Sequence, residues 1–303
     1  MTERGVFSRR VAQFCQEYEI PGGAEEALQA CLRLLEEKDA LSLLAEPAER
    51  YEREDGAFPF RAELTRVTEQ AGALGADPYT AAMLFSVLLV PRGKELYRRQ
   101  GVDEQIIHDS FADLKWKMWE CRKMYGIWGI FVAWWFDRWF DASRYAIGRL
   151  QYELCPLGEF PGAEKVIAEN PALTAQTQVV NVHIPSSGHM PYEAVRASYE
   201  AAAAFFAERC GQVIFACESW LLYPGNLEFL PEKSNIRPFM ADYQLFWEEN
   251  TGEEGNLWRL FYVPVETPCR DLPETEGLQR AMKAWLLRGN APGAAAGLFF
   301  WSE

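Results

Sequence analysis

Hydrophobic and polar positions follow different patterns in the two halves of the chain. Between residues 6 and 51, and again between 61 and 90, apolar residues recur every three or four positions, which predicts a series of amphipathic helices. From Gly148 onward, short apolar runs alternate with helical stretches. In VVNVHIP (residues 179–185) apolar residues alternate with Asn181 and His183, whereas VIFAC (213–217) is continuously apolar. The first pattern predicts a strand with one polar face, and the second predicts a strand covered on both faces.

A strand–loop–helix–strand unit is predicted between Gln178 and Leu222. The strand VVNVHIP leads into a loop rich in Pro, Ser and Gly, which is followed by an alanine-rich helix and the strand VIFAC. Backbone N–H groups at the start of a helix lack intrahelical partners and favour an anion such as phosphate. The unit therefore predicts a ligand site between Pro185 and Pro191, without specifying the ligand.

Further elements are predicted on both sides of this unit. RLQYELCPL (149–157) alternates in the manner of a strand. Downstream, the pattern predicts a helix over IRPFMADYQLFWEEN (236–250), a strand over LWRLFYVPV (257–265), a capped helix ended by Gly289, and a last strand over AAAGLFFW (294–301). The second half is therefore expected to be a domain that combines helices with a mixed sheet.

The stretch KWKMWECRKMYGIWGIFVAWWFDRWF (115–140) mixes basic residues with six tryptophans. Such a segment can stack on nucleic-acid bases, lie on a membrane surface or bury its aromatic residues in long helices between domains. Its apolar run GIWGIFVAWWF is about half as long as a membrane span requires. Because nucleic-acid binding relies on Lys and Arg, the net charge of −14 opposes that partner, and burial is the favoured interpretation.

Length and composition are those of a globular protein. A chain of 303 residues has room for about two domains, and its apolar (49%) and charged (24%) fractions are ordinary. The seven cysteines include no CxxC pair and the three histidines share no ligand spacing, which argues against a structural metal site and a disulfide framework. The N-terminal MTERGVFSRR lacks the apolar segment of a secretory signal, so a cytoplasmic location is expected.

Several segments resemble a family of bacterial acyltransferase-domain proteins. They are IGRLQYE, NVHIPSSG, CESWLLYP, LPEKSNIRPF and LPETEGLQRAMKAWLLRG. Members of this family join an α-helical N-acyltransferase N-terminal domain to a C-terminal domain similar to the GNAT fold. The resemblance implies an α+β protein, with the helical domain over residues 1–145 and a GNAT-like (acyl-CoA N-acyltransferase) mixed β-sheet domain over residues 146–303.

The resemblance also implies transfer of an acyl group from acetyl-CoA or another acyl-CoA to an amine-type small-molecule acceptor. The thioester would lie in a V-shaped gap between the two central strands. The cofactor would bind at Ile184, Ser186, Ser187, Gly188 and His189, and the loop residues 186–189 would receive its pyrophosphate. The loop PSSGHM departs from the Gln/Arg-x-x-Gly-x-Gly/Ala pattern usual in GNAT proteins, which leaves open both the mode of pyrophosphate binding and the identity of the ligand. The alternative is a non-catalytic GNAT-like module that binds acyl-CoA or another small ligand.

Four ionisable residues are candidates for proton transfer in such a reaction. Glu153 lies on the strand before the central unit, His183 lies on the first central strand, and Glu218 ends the second, where ligands collect in α/β sheets. Tyr243 occupies the region from which GNAT enzymes often supply a tyrosine acid. Each of the four also has a structural interpretation, as a paired carboxylate, a packed histidine or a core tyrosine. Cys217 is a weaker candidate for a nucleophile, because no GxSxG elbow is present.

Overall fold

The computed structural model describes residues 2–53, 58–250, 257–264 and 266–302. The chain divides into two compact units, Met1–Tyr145 and Ala146–Glu303. The last residue of the predicted strand LWRLFYVPV, Val265, lies outside the described residues.

The described part of the first unit is helical. Its helices are α1 (Glu3–Glu17), α2 (Gly22–Glu37), α3 (Ser42–Arg53), α4 (Phe60–Ala73), α5 (Pro78–Arg99), α6 (Glu104–Tyr125) and α7 (Asp137–Phe140). Asp77 and Asp103 cap α5 and α6, and each carboxylate accepts a hydrogen bond of 2.8 Å from a backbone N–H in the first turn. These caps satisfy N–H groups that the helix itself leaves without partners.

Helix α5 forms the centre of the first unit, because α1, α2, α3, α4 and α6 all pack against it. Phe85, Phe111 and Phe140 contribute large buried rings to this core. Gly93 permits the close approach of α6, since a Cβ atom at this position would lie 2.6 Å from the ring of Phe111. The missing side chain at this position therefore lets the ring of Phe111 pack directly against α5.

In the tryptophan-rich stretch, the long helix α6 ends at Tyr125. Gly126 ends α6 in the left-handed conformation (φ 72°), and the chain continues into a 3-10 turn at Ala133–Phe136 before α7. The side chain of Trp139 is fully buried, whereas 48% of Trp134 is exposed. The prediction of long helices is therefore wrong beyond Tyr125, because a left-handed glycine terminates the helix there.

The second unit is built on a six-stranded sheet. Its strands are β1 (Arg144–Ile147), β2 (Leu150–Pro156), β3 (Gln178–His183), β4 (Ile214–Ser219), β5 (Gln244–Glu249) and β6 (Ala294–Phe300). The spatial order is β1-β2-β3-β4-β6-β5, in which β3 and β4 run parallel while β2–β3, β4–β6 and β5–β6 are antiparallel. This mixed sheet confirms the predicted fold class.

Five helices connect these strands in the described part of the second unit. They are α8 (Ala163–Glu169), α9 (Tyr192–Cys210), α10 (Ile236–Ala241), α11 (Trp258–Phe261) and α12 (Gly277–Leu286). Helix α9 joins β3 to β4, as the predicted central unit requires. Helix α12 begins with a capping box between Glu276 and Gln279 and precedes the last strand, also as predicted.

Two predicted elements downstream of β4 are wrong. The second half of the predicted helix IRPFMADYQLFWEEN is the edge strand β5, in which a register shift between Leu245 and Trp247 breaks the alternation of polar and apolar residues. The predicted strand LWRLFYVPV contains the short helix α11, where Phe261 packs in one apolar cluster with Met282 and Trp285. Short apolar runs of this kind fit either a strand or a buried helix by periodicity alone.

The two faces of the sheet pack against different helices. Helix α9 covers one face, where the ring of Tyr199 lies 5.0 Å from that of Phe215. The other face carries Val179 and Ala216, which pack with Ala163 of α8. Apolar side chains on both faces explain why β4 is almost continuously apolar.

Within the described residues, no helix is long and apolar enough to cross a membrane. Those residues also contain no group of three or more His, Cys, Asp and Glu side chains arranged to hold a metal ion.

Candidate functional site

The central parallel strands separate at their carboxyl ends. Between β3 and β4, both described in full, the ladder comprises the pairs Val180↔Phe215 and Asn181↔Ala216. Each strand remains paired with its outer neighbour beyond that point, since β2–β3 reaches His183 and β4–β6 reaches Ser219. A gap therefore opens between residues 182–183 of β3 and residues 217–219 of β4, at the carboxyl ends of the two strands.

Polar side chains collect on one face of the sheet at this gap. Glu153 of β2 lies opposite Asn181 in the antiparallel register, so both side chains point to the same face, together with His183 two residues further along β3. Asn181 pairs with Ala216 of β4, which places Glu218 on that face as well. The sheet register thus brings together three of the four residues predicted for proton transfer.

Glu153 and His183 form a direct contact. Nε2 of His183 lies 2.8 Å from Oε1 of Glu153, and the same oxygen accepts a longer hydrogen bond of 3.4 Å from Nδ2 of Asn181. Only 10% of the Glu153 side chain and 18% of the His183 side chain are exposed. With an ionised Glu153, Nε2–H is the donor and the lone pair of a neutral imidazole is then on Nδ1. A carboxylate thus fixes both the orientation and the tautomer of His183.

Glu218 lies at the end of β4 on the other side of the gap. Its side chain retains an exposed surface, yet the surrounding protein partly desolvates the carboxyl group and raises its pKa above the ordinary value of glutamate. A carboxyl group with a raised pKa accepts and releases protons closer to neutral pH than an ordinary one.

The loop between β3 and α9 is held by Arg149. Its guanidinium donates three hydrogen bonds to carbonyl oxygens, from Nε to His189 (2.9 Å), from Nη1 to Pro185 (3.1 Å) and from Nη2 to Gly188 (2.8 Å). Gly188 has φ 108°, a conformation that side-chain-bearing residues rarely adopt. The loop therefore has a defined shape, in which these three carbonyl oxygens face Arg149.

The residues predicted to bind the cofactor lie at the end of β3 and along this loop. Ile184, Ser186 and Ser187 are half-buried, and Gly188 and His189 are exposed. Among the described residues, no hydrogen-bond acceptor is paired with the backbone N–H groups of residues 186–189. These N–H groups immediately precede the start of α9, where an anion is favoured by the orientation of the helix dipole.

Ser198 of α9 anchors the turn that carries Arg149. Its hydroxyl donates to the carbonyl of Ile147 (2.5 Å), accepts from the N–H of Leu150 (3.1 Å) and lies 2.7 Å from the hydroxyl of Tyr152. The side chain is 1% exposed. Helix α9 and the turn between β1 and β2 are thereby linked through buried hydrogen bonds, which fix the position of Arg149.

Tyr243 lies away from the other three candidates. It follows α10, is buried and forms a hydroxyl–hydroxyl hydrogen bond of 2.8 Å with Tyr199 of α9. The two tyrosines occupy the face that α9 covers, whereas Glu153, His183 and Glu218 occupy the opposite face. Burial, with a smaller contribution from Tyr199, raises the pKa of Tyr243 well above the ordinary value of tyrosine.

Cys217 is an unfavourable nucleophile. Its side chain is fully buried, and burial together with the adjacent Glu218 raises the pKa of its thiol. A thiolate is the reactive form of cysteine, and this environment disfavours it. The hydroxyl of the nearby Ser219 accepts a hydrogen bond from the N–H of Leu221 and caps the following turn.

Arg149 and Ser198 were not among the residues predicted from the sequence. The antiparallel register pairs Gln151 with His183, and extending it by two residues places Arg149 beside Pro185 at the start of the loop. A basic residue two positions before Gln151, the first residue of β2 in the register, was the available signal. It becomes informative only when the register between β2 and β3 is known.

Comparison with protein families identifies both units. The profile of the N-acyltransferase N-terminal domain matches residues 9–142, and that of the GNAT-like C-terminal domain matches residues 145–299. A search of curated protein sequences finds no significant relative.

Solved acyltransferase structures share the fold. One, in complex with decanoyl-CoA and teicoplanin, is 21% identical, with a TM-score of 0.77 over 96% of this chain and 88% of the other. A mutant in complex with octanoyl-CoA is 20% identical, with a TM-score of 0.76 over 97% and 88% of the two chains. The two family profiles together match most of the sequence. The chain therefore belongs to the family of acyltransferases in which an N-acyltransferase N-terminal domain precedes a GNAT-like C-terminal domain.

Proposed function

We propose that the protein transfers an acyl group from an acyl-CoA to an amine of a small-molecule acceptor, and that the chemistry takes place at the gap between β3 and β4. The observation that carries this proposal is the separation of two parallel strands beside a face that bears Glu153, His183 and Glu218. A gap of this kind offers strand-edge hydrogen bonds to an extended ligand and proton-transfer groups to its reacting end.

The pantetheine arm of CoA suits the gap because it is linear and carries two amide groups. Amides can pair with the edges of β3 and β4 in the same manner as an added strand. The pyrophosphate would then bind at the loop, where the N–H groups of residues 186–189 and the start of α9 favour an anion. In this arrangement Ile184, Ser186, Ser187, Gly188 and His189 form the cofactor-binding segment.

His183 is the proposed general base. The acceptor nitrogen attacks the thioester carbonyl carbon, a C–N bond forms, the C–S bond breaks, and CoA leaves as a thiolate. His183 accepts the proton that the amine loses, and Glu153 stabilises the imidazolium that results. Glu218, across the gap, is proposed to bind the cationic form of the acceptor or to relay its proton.

The acceptor is proposed to be an amine-bearing molecule, and teicoplanin is a reasoned first choice because a structural relative is bound to it together with decanoyl-CoA. Relatives bound to decanoyl-CoA and octanoyl-CoA also make medium-chain acyl donors the first to test. These choices rest on the likeness in fold.

Ligand-dependent thermal unfolding tests the proposal. CoA, acetyl-CoA and decanoyl-CoA are added separately, and a ligand at a hundredfold excess over its Kd is expected to stabilise the folded protein by about 2.7 kcal/mol. Release of thiol that depends on both decanoyl-CoA and an added amine would then establish transfer. Stabilisation without turnover across a panel of amines favours the alternative of a non-catalytic binding module, and the absence of any stabilisation contradicts both.

A further inference from the structure

The loop at residues 185–189 is organised by one side chain outside it. Arg149 lies in the turn between β1 and β2, and its guanidinium donates hydrogen bonds to the carbonyl oxygens of Pro185, Gly188 and His189. Burial lowers the pKa of its guanidinium, which nevertheless remains charged at neutral pH because arginine titrates far above that range. Three carbonyl oxygens, each bearing a partial negative charge, therefore cluster around one positive group.

Clustering the carbonyl oxygens has a consequence for the rest of the loop. A peptide group directs its C=O and N–H to opposite sides. Drawing the three carbonyl oxygens toward Arg149 therefore turns away the N–H groups that share their peptide groups, which are those of Ser186, His189 and Met190. The N–H groups of residues 186–189 are paired with no acceptor among the described residues. The carbonyl oxygens bound by Arg149 and the N–H groups that share their peptide groups therefore point in opposite directions.

Arg149 itself is rigidly held. The turn that carries it is tied to α9 by Ser198, whose hydroxyl bridges Ile147 and Leu150 on either side of Arg149. Helix α9 also follows the loop directly. The turn that carries Arg149 and the end of the loop are therefore both attached to α9. A planar guanidinium with three simultaneous acceptors cannot be replaced by an ammonium group without loss of geometry.

We propose that Arg149 is the positioning residue that shapes the loop for the pyrophosphate of CoA, a role that rests on the proposed function. It keeps three carbonyl oxygens away from the anion and leaves the N–H groups to bind it. This provides a physical account of how PSSGHM, which departs from the usual GNAT loop pattern, can still receive a diphosphate.

Two ligands that differ only in the diphosphate and nucleotide test this role. Kd is measured for decanoyl-CoA and for S-decanoylpantetheine with the wild-type protein and with Arg149→Gln, Arg149→Lys and the control Arg209→Gln. Arg209 lies in the last turn of α9 and donates to the carbonyl of Phe205, remote in sequence from the loop. Thermal unfolding of each variant is recorded in parallel.

Both Arg149 variants are expected to weaken decanoyl-CoA binding by about 10- to 100-fold, the size expected from losing charge-assisted hydrogen bonds. Binding of S-decanoylpantetheine should change by less than about threefold, and Arg209→Gln should resemble the wild type with both ligands. Three results would each overturn the role. They are equally weakened binding of both ligands, unchanged binding of decanoyl-CoA by Arg149→Gln, and full retention of decanoyl-CoA affinity by Arg149→Lys. Failure of the wild type to bind either ligand would refute the proposed function and, with it, this inference.

Hydrogen exchange on the wild-type protein provides a test that does not depend on folding of the variants. The amides of residues 186–189 should become protected with decanoyl-CoA and remain unprotected with S-decanoylpantetheine. Protection by both ligands, or by neither, would contradict the assignment.

Discussion

Nε2 of His183 lies 2.8 Å from Oε1 of Glu153, across the antiparallel pair β2–β3 and beside the gap between β3 and β4. The two residues are 30 positions apart in sequence and meet only because the sheet register sets Gln151 and Glu153 opposite His183 and Asn181. A histidine oriented by a carboxylate is suited to accept a proton from an attacking amine.

Replacing either member of this pair should lower the rate of transfer. His183→Gln is expected to reduce kcat by about 10²- to 10³-fold, because the base is lost. Glu153→Gln retains the shape of the side chain but loses its charge, and should reduce kcat by about 10- to 100-fold. KM for decanoyl-CoA should change little in both variants. Acceptor-dependent release of thiol from decanoyl-CoA measures these constants.

Glu248→Gln is the matched control for the loss of a carboxylate. Glu248 is exposed on the edge strand β5, opposite Ala295, and its replacement should leave kcat unchanged. A rise in KM with unchanged kcat in the Glu153 and His183 variants would assign these residues to binding and remove them from proton transfer.

Glu218 should make stability depend on pH. Its pKa is raised in the folded protein, so the folded state binds more protons than the unfolded state and loses stability as the pH rises from about 4.3, the ordinary glutamate value, through the raised value. Glu218→Gln should therefore increase Tm at pH 7.5 by about 1–2 °C, a small effect because the side chain is partly exposed. The increase should vanish near pH 4. An increase of equal size at both pH values would contradict this linkage.

Tyr243→Phe separates a structural tyrosine from a catalytic acid. The substitution removes the hydrogen bond to Tyr199 in a buried environment and should cost about 1 kcal/mol in the free energy of unfolding. Because the two tyrosines occupy the face opposite Glu153 and His183, we expect kcat to change by less than about threefold. A loss of a hundredfold or more in kcat, with the protein still folded, would instead make Tyr243 the acid that protonates the departing thiolate.

Ser198→Ala should be strongly destabilising. It removes the hydroxyl that bridges Ile147, Leu150 and Tyr152 in a buried site, which leaves polar groups without partners at a cost of about 2–3 kcal/mol. Ser86→Ala is the comparison, since the buried hydroxyl of Ser86 donates only within its own helix, to the carbonyl of Ala82. Urea-induced unfolding of both variants measures the difference. Equal effects of the two substitutions would show that the bridging hydrogen bonds of Ser198 contribute nothing beyond those of an ordinary helical serine.

The central unit could be predicted because its local patterns are strong. Alternation in residues 179–184 and the continuous apolar run at 213–217 indicate two strands, and the alanine-rich segment between them indicates the helix α9. The edge strand β5 could not be found in this way. Its bulge at Leu245 and Trp247 breaks the period of two, and its partner β6 lies about fifty residues later in the chain.

The candidate site could be predicted in part, because three of its residues lie on strands that the local pattern reveals. Glu153, His183 and Glu218 stand at strand positions, so their common face follows once the strands are paired. Arg149 precedes its strand and reaches the loop only through the register of β2 with β3. Tyr243 was expected on a helix and lies between α10 and β5, where its partner Tyr199 is 44 positions away in sequence. Contacts of this range depend on tertiary packing, which local patterns do not contain.

A crystal structure of the wild-type protein with decanoyl-CoA tests the central claim most directly. We expect the pantetheine arm between β3 and β4, its thioester beside His183, and the diphosphate at the N–H groups of residues 186–189. Density for the ligand elsewhere, with the gap unoccupied and His183 remote from the thioester, would contradict the proposed site and the roles assigned to Glu153, His183 and Arg149.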